Sequence, residues 1–281
     1  AANARANRAA EVDDDDAADD DEESDDDGSG KAKGRTVLMT ALSGATASHL
    51  RFANLGNGAG RATVVIHDAA TGAALGTWTS EAIPGRGALE VAWADIAADA
   101  SPAVDPLAPL AVAEIRAGFR GHVQQIGFNT AAGQVGDLTA CRRIEAPKRA
   151  LGYVAAPGRS DVAGAIELIN GGNASAAATL RLHDAATGAE LGAWTSPTLA
   201  EFAAVSVRVA DVVAQATPAI ATPPRALTVA LDPPGGHIAL AYKEGVTGGV
   251  LSDLTAGCPL KGGSDDDESE DDESDDDESE T

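Results

Sequence analysis

The stretch HDAATGAALGTWTS at residues 67–80 returns as HDAATGAELGAWTS at residues 183–196, with only Ala74/Glu190 and Thr77/Ala193 exchanged. A chain that spells one such stretch twice is built from a duplicated unit, and everything it folds into must accommodate that unit twice. At the same offset LRFANLGNG (50–58) pairs with IELINGGNA (166–174), which matches Asn54 with Asn170, Gly56 with Gly172 and Asn57 with Asn173. Further on, GHVQQIGFNT (121–130) pairs with GHIALAYKEG (236–245), and GDLTAC (136–141) with SDLTAGC (252–258). A period this long lies far beyond the roughly 20–50 residues of solenoid repeats, so the copies are read as two domains, 35–146 and 147–260.

Within each copy apolar and polar residues alternate with period two. ATVVIHD and ATLRLHD read as strands, DAATGA supplies the Asp, Thr and Gly of a hairpin turn, and ALGTWTS and ELGAWTS read as the returning strands. ALEVAWADI and AVSVRVADV each read as a strand entering a short helical turn, followed by Pro-bearing loops and further strands. Seven or eight short strands per copy predict an all-β chain of two tandem antiparallel β-sandwich domains. Aromatic residues make up only 3% of the chain, so the cores are expected to rest on Val, Leu, Ile and Ala, with Trp78 and Trp194 as the large anchors.

The run RFANLGNGAGRATVVIHDAATGAALGTWTS, followed by a strand and a closing DLTAC, resembles the immunoglobulin-like or fibronectin-III-like repeats of secreted bacterial surface proteins. The resemblance covers most of 35–260 and rests on strand rhythm and turn spacing; the Cys and Trp spacing of antibody domains is missing. It implies an extracellular module used for spacing, adhesion or assembly.

The formal net charge of −24 is concentrated at the ends. Residues 11–27 hold 13 acids and 264–281 another 13, while 28–263 carries 18 acids and 18 Lys plus Arg. A neutral body with acidic ends lacks the basic face that nucleic-acid phosphates require, and no apolar run approaches the roughly 18–20 residues of a membrane span. The segments 1–34 and 261–281 are expected to be disordered tails, because like charges without apolar residues cannot offset the entropy of ordering. The absence of an initial Met is read as the mark of a mature secreted protein.

Dense carboxylates repel one another until cations neutralise them. Asp13, Asp14, Asp15, Asp16, Asp25, Asp26 and Asp27, with Asp265, Asp266, Asp267, Asp271, Asp272, Asp275, Asp276 and Asp277, are therefore candidate low-affinity ligands for Ca2+ or another divalent cation. No formed calcium loop is present, since Gly34 stands where ESDDDGSGKAKG would need a bidentate Glu. The other reading of the tails is a solubilising bristle. Cys141 and Cys258 close the two copies at equivalent places and are candidates for a bridge within the chain, a bridge between chains, or two free thiols. His67 and His183 recur, as do His122 and His237, and a metal would need a third ligand, for which Asp68 and Asp184 are nearest.

GNGAGR (56–61) leads into no helix, and neither GxSxG, HExxH nor CxxC occurs, so no motif speaks for an enzyme. The expected function is structural: a secreted, self-associating subunit of an extracellular filament, matrix or surface layer, joined by strand edges. Thr36, Val37, Leu38, Met39 and Thr40, which follow the acidic leader, form the candidate exchanged strand. The alternative is a carbohydrate- or surface-ligand-binding module, which the scarcity of aromatics disfavours.

Overall fold

DAATGA closes its hairpin through its own side chain. Asp68 Oδ1 accepts the Thr71 backbone N–H at 2.8 Å and the Thr71 hydroxyl at 2.7 Å, while Gly72 N–H donates to Asp68 O at 2.7 Å. Gly72 has φ +74°, a left-handed position where glycine meets no Cβ penalty. The second copy turns the same way, with Ala186 N–H on Asp184 Oδ1 at 2.8 Å and Gly188 at φ +72°.

The computed structural model describes residues 37–42, 47–106, 110–129, 133–139, 142–143, 150–157, 162–232, 237–246 and 252–253. Its first half runs β1 (Val37–Leu42), β2 (Ala47–Asn54), β3 (Ala62–Asp68), β4 (Ala74–Thr79), β5 (Ala88–Ala92), α1 (Trp93–Asp99), β6 (Leu110–Ala117), β7 (Gly121–Asn129), β8 (Gln134–Asp137) and β9 (Arg142–Arg143). Its second half runs β10 (Ala150–Ala155), β11 (Val162–Asn170), β12 (Thr179–Asp184), β13 (Glu190–Thr195), β14 (Ala204–Arg208), α2 (Val209–Ala214), β15 (Ala226–Asp232), β16 (Ile238–Val246) and β17 (Ser252–Asp253). The protein is thus all-β, with two short helices among the described residues. The expected domain boundary at 146/147 and the tails lie outside the described residues.

Four antiparallel sheets result, with strand orders β4-β3-β6-β1-β9 and β5-β2-β7-β8 in the first half, β10-β15-β12-β13 and β14-β11-β16-β17 in the second. Pairing agrees between halves: Thr63 faces Thr79 as Thr179 faces Thr195, with a register shift after Ile66 and after Leu182. In the immunoglobulin order A-B-E-D the first two strands are neighbours in one sheet. Here β1 pairs with β6, while β2 pairs with β5 and β7, so the first two strands lie in different sheets.

Each half buries its core between its two sheets. Met39, Phe52, Val64, Ile66, Trp78 and Ile115 cluster in the first, with Trp93 and Ile96 of α1. Leu151, Leu168, Leu180, Trp194, Val229 and Tyr242 cluster in the second, with Val209 and Val212 of α2. Each large side chain so buried contributes about 1.5–3 kcal/mol. Trp78 and Trp194 are both buried, as expected.

The recurring polar residues brace the loops. Asn54 Nδ2 donates to Gly58 O and Ile83 O, and Asn170 Nδ2 to Ala174 O and Leu199 O. The Oδ1 atoms accept the N–H of Gly56 and Gly172. Ser80 and Ser196, which end the doubled stretch, accept the N–H of Ala62 and Ala178 at 2.9 Å. Two outer strands are covered in matching ways, since Thr77 on β4 bridges Ser101 and Ala193 on β13 bridges Thr217; such cover protects sheet edges from stray pairing.

One alignment changes. Asn54 lies opposite Gly121, but Asn170 lies opposite Ile238, so β7 and β16 correspond two residues away from the GHVQQ/GHIAL match. A slip of two preserves which face each residue occupies, so period-two patterning is blind to it.

Candidate functional site

The feature that stands apart is the contact between the halves, which belong to one compact unit. Alternation along β1 sends Met39 into the first core and Leu38 the other way, where it clusters with Val112 of β6, Ile169 of β11 and Ala204 of β14. The β4-β3-β6-β1 sheet of the first half therefore faces the β14-β11-β16-β17 sheet of the second.

Polar groups are buried in this contact. Lys243 Nζ lies 2.9 Å from Glu167 Oε1, and both side chains are 1% exposed. Thr40 completes the set: its hydroxyl donates to Glu167 Oε2 and accepts from Lys243 Nζ at 2.9 Å. Two ions taken out of water cost several kcal/mol each, which mutual attraction offsets only when the geometry is good and the remaining valences are bonded. Thr40 supplies one of those bonds from the opposite half. Behind it, Gln125 Nε2 donates to Thr40 O at 2.8 Å and to Ser48 Oγ at 2.9 Å.

A second cluster forms at the hairpin end. His67 Nε2 is 3.2 Å from Glu114 Oε2 and Nδ1 is 3.1 Å from Gly72 O. Arg116 donates to Glu114 Oε1 through Nε at 2.9 Å. The Phe202 ring of the second half lies on the imidazole, with centroids 4.3 Å apart. Ala204 N–H donates to Ala69 O at 2.8 Å, which ties β14 to the turn after β3.

The expected site residues fall out as follows. Val37, Leu38, Met39 and Thr40 lie in β1, paired on one side with β6 and on the other with β9; exchanging this strand would require those pairings to open. Thr36, the tail aspartates from Asp13 to Asp277, and Cys141 and Cys258 lie outside the described residues. His67 and His122 are on different sheets, and His67 is engaged by Glu114. Among the described residues no three His, Cys, Asp or Glu gather as metal ligands, and no helix is long and apolar enough to cross a membrane.

Glu167, Lys243 and Glu114 were missed by reasoning from sequence alone. Their signal is a charge inside an otherwise apolar strand, as in AIELIN and IALAYKEG, where the alternate positions on both faces are also apolar or small. Such a charge marks a strand covered on both faces.

Among the described residues four groups show clear shifts; Asp232 raises Arg181 and Asp211 raises Arg208, both through hydrogen bonds and charge. The Thr71 hydroxyl, then its N–H, hold the Asp68 carboxyl below its ordinary value. Burial, then the Glu244 carboxylate accepting its hydroxyl, push the Tyr242 phenol up.

No family model and no curated protein matches the chain.

Proposed function

We propose that the chain is a secreted, non-catalytic structural subunit of an extracellular assembly, a filament, matrix or surface layer. Two tandem sandwich repeats form its rigid body, copies of the chain are its partners, and the acidic tails bind Ca2+ weakly and make assembly responsive to divalent cations.

The observation that carries this reading is the buried Glu167, Lys243 and Thr40 set. A buried ion pair is weak evidence for stability, but this one fixes a position: Glu167 and Lys243 are neighbours on one sheet, and displacing the opposite sheet removes the Thr40 hydroxyl that bonds both of them. Two sandwiches so registered behave as one stiff element, which suits spacing or tiling. The neutral body and tails of like charge add a means of control: tail repulsion opposes association until cations neutralise it.

Sedimentation velocity of the full chain, in millimolar Ca2+ and again in chelator, tests the proposal. Larger species favoured by Ca2+ support it. A monomer under both conditions, over a wide concentration range, removes self-assembly as the function.

A further inference from the structure

The contact between the halves joins two unlike surfaces. The first half offers its β4-β3-β6-β1 face and the second its β14-β11-β16-β17 face. Each half has a sheet of both kinds, so among the described residues one of each is left uncovered: the β5-β2-β7-β8 face of the first half and the β10-β15-β12-β13 face of the second. A contact between unlike surfaces does not close on itself and can be repeated by a further copy.

The backbone that makes the inner contact is kept on the free surfaces. In the inner contact the loop before β14, with Phe202 at φ 57°, sits against the turn after β3, so closely that a Cβ on Gly72 would lie 1.7 Å from Glu201 O. The corresponding loop before β5 carries Arg86 at φ 60°, and the corresponding turn after β12 carries Gly188 at φ +72° with nothing within 4 Å of its Cβ position. The loop and the turn that receives it thus exist a second time, one on each free surface, and among the described residues they do not meet each other.

Several side chains on these free surfaces differ in charge from their inner counterparts. Strand register places Arg86 where Phe202 stands and Arg51 where Glu167 stands, both on the first half. On the second half, His183 takes the place of His67 with Glu190 beside it, and Asp232 that of Arg116. The free first-half surface thus carries Arg51 and Arg86 with Glu90 and Asp137, while the free second-half surface carries Glu190 and Asp232 with Arg181. Where the loop would meet the turn, Arg86 is basic and Glu190 acidic.

We propose that a second copy of the chain docks here, its β5-β2-β7-β8 face on the β10-β15-β12-β13 face of the first, with Arg86 of one copy against His183 and Glu190 of the next. This rests on the assembly reading above and specifies its contact. Ala53 and Thr228 replace Ile169 and Val112, so attraction between copies comes from charge, is reversible, and weakens with salt.

Charge reversal on the full chain is the test, read as weight-average mass by sedimentation equilibrium in Ca2+ and in chelator, with a melting curve for each variant. Both residues are exposed, so the fold is retained. Arg86→Glu and Glu190→Arg should each weaken association about tenfold or more, and the double variant R86E/E190R should regain it, because the reversed charges meet across copies. Association of the wild type with either single variant unaffected, or with no recovery in the double variant, overturns this contact while leaving the assembly reading intact. A wild type that stays monomeric in every condition overturns both.

Discussion

At the scale of single residues, Glu167 and Lys243 are buried neighbours on one sheet that share the Thr40 hydroxyl of the opposite half, and their energetics differ from those of the surface pairs. Arg181 with Asp232, and Arg51 with Glu90, are solvent-exposed, where water and salt screen an ion pair and leave it little net effect on stability. Removing one member of the buried pair strands the other, so Lys243→Met should cost about 3–5 kcal/mol in urea denaturation, whereas the double replacement E167L/K243M should recover most of that loss. Asp68 has its folded-state pKa lowered by Thr71, so its contribution is present above the ordinary aspartate value near 3.8 and is lost as pH falls through the depressed one. The stability difference between wild type and Thr71→Val should accordingly shrink in acid titration. Tyr242 runs the other way: its raised value gives a contribution fully present below the free-tyrosine value of about 10 and lost as pH rises through the folded one. Absorbance titration should show its phenol silent at the pH where a free tyrosine ionises, until the chain unfolds. The Asp and Gly of DAATGA were legible because turn chemistry is local. Glu167 was not, because its partners, Thr40 and Lys243, are far away in the chain.

At the scale of elements, the two hairpin turns make a controlled comparison. Both glycines lie in the left-handed region, but Gly72 meets the backbone of the loop before β14 whereas Gly188 meets nothing. Gly188→Ala should cost about 1 kcal/mol, the price of φ alone. Gly72→Ala adds a collision with Glu201 O and should cost roughly 2–4 kcal/mol in thermal or chemical denaturation. Equal effects would mean that the turn does not bear on the second half. Strand existence, the hairpins and the sheet-to-helix step at Trp93 and Val209 follow from alternation and turn residues, so they were legible. The match of β7 with β16 was not, since a two-residue slip leaves the pattern unchanged. Nor was the strand order, because which strands pair across a sandwich is decided by packing of residues far apart in sequence.

At the scale of the whole molecule, the doubled stretch and the concentration of charge at the two ends were both legible in the sequence. What could not be read was that the halves bury a sheet face against each other, because a face becomes interior only when its partner is known. That contact explains why the matched positions diverge: Phe202 and Ile169 are apolar where the halves meet, and Arg86 and Ala53 stand at the free counterparts. The central claim, a structural subunit whose assembly answers to divalent cations, is tested most directly by negative-stain electron microscopy of the full chain with millimolar Ca2+ and with chelator. Regular filaments or sheets that form with Ca2+ and disperse in chelator are the predicted result; dispersed single particles in both would contradict it.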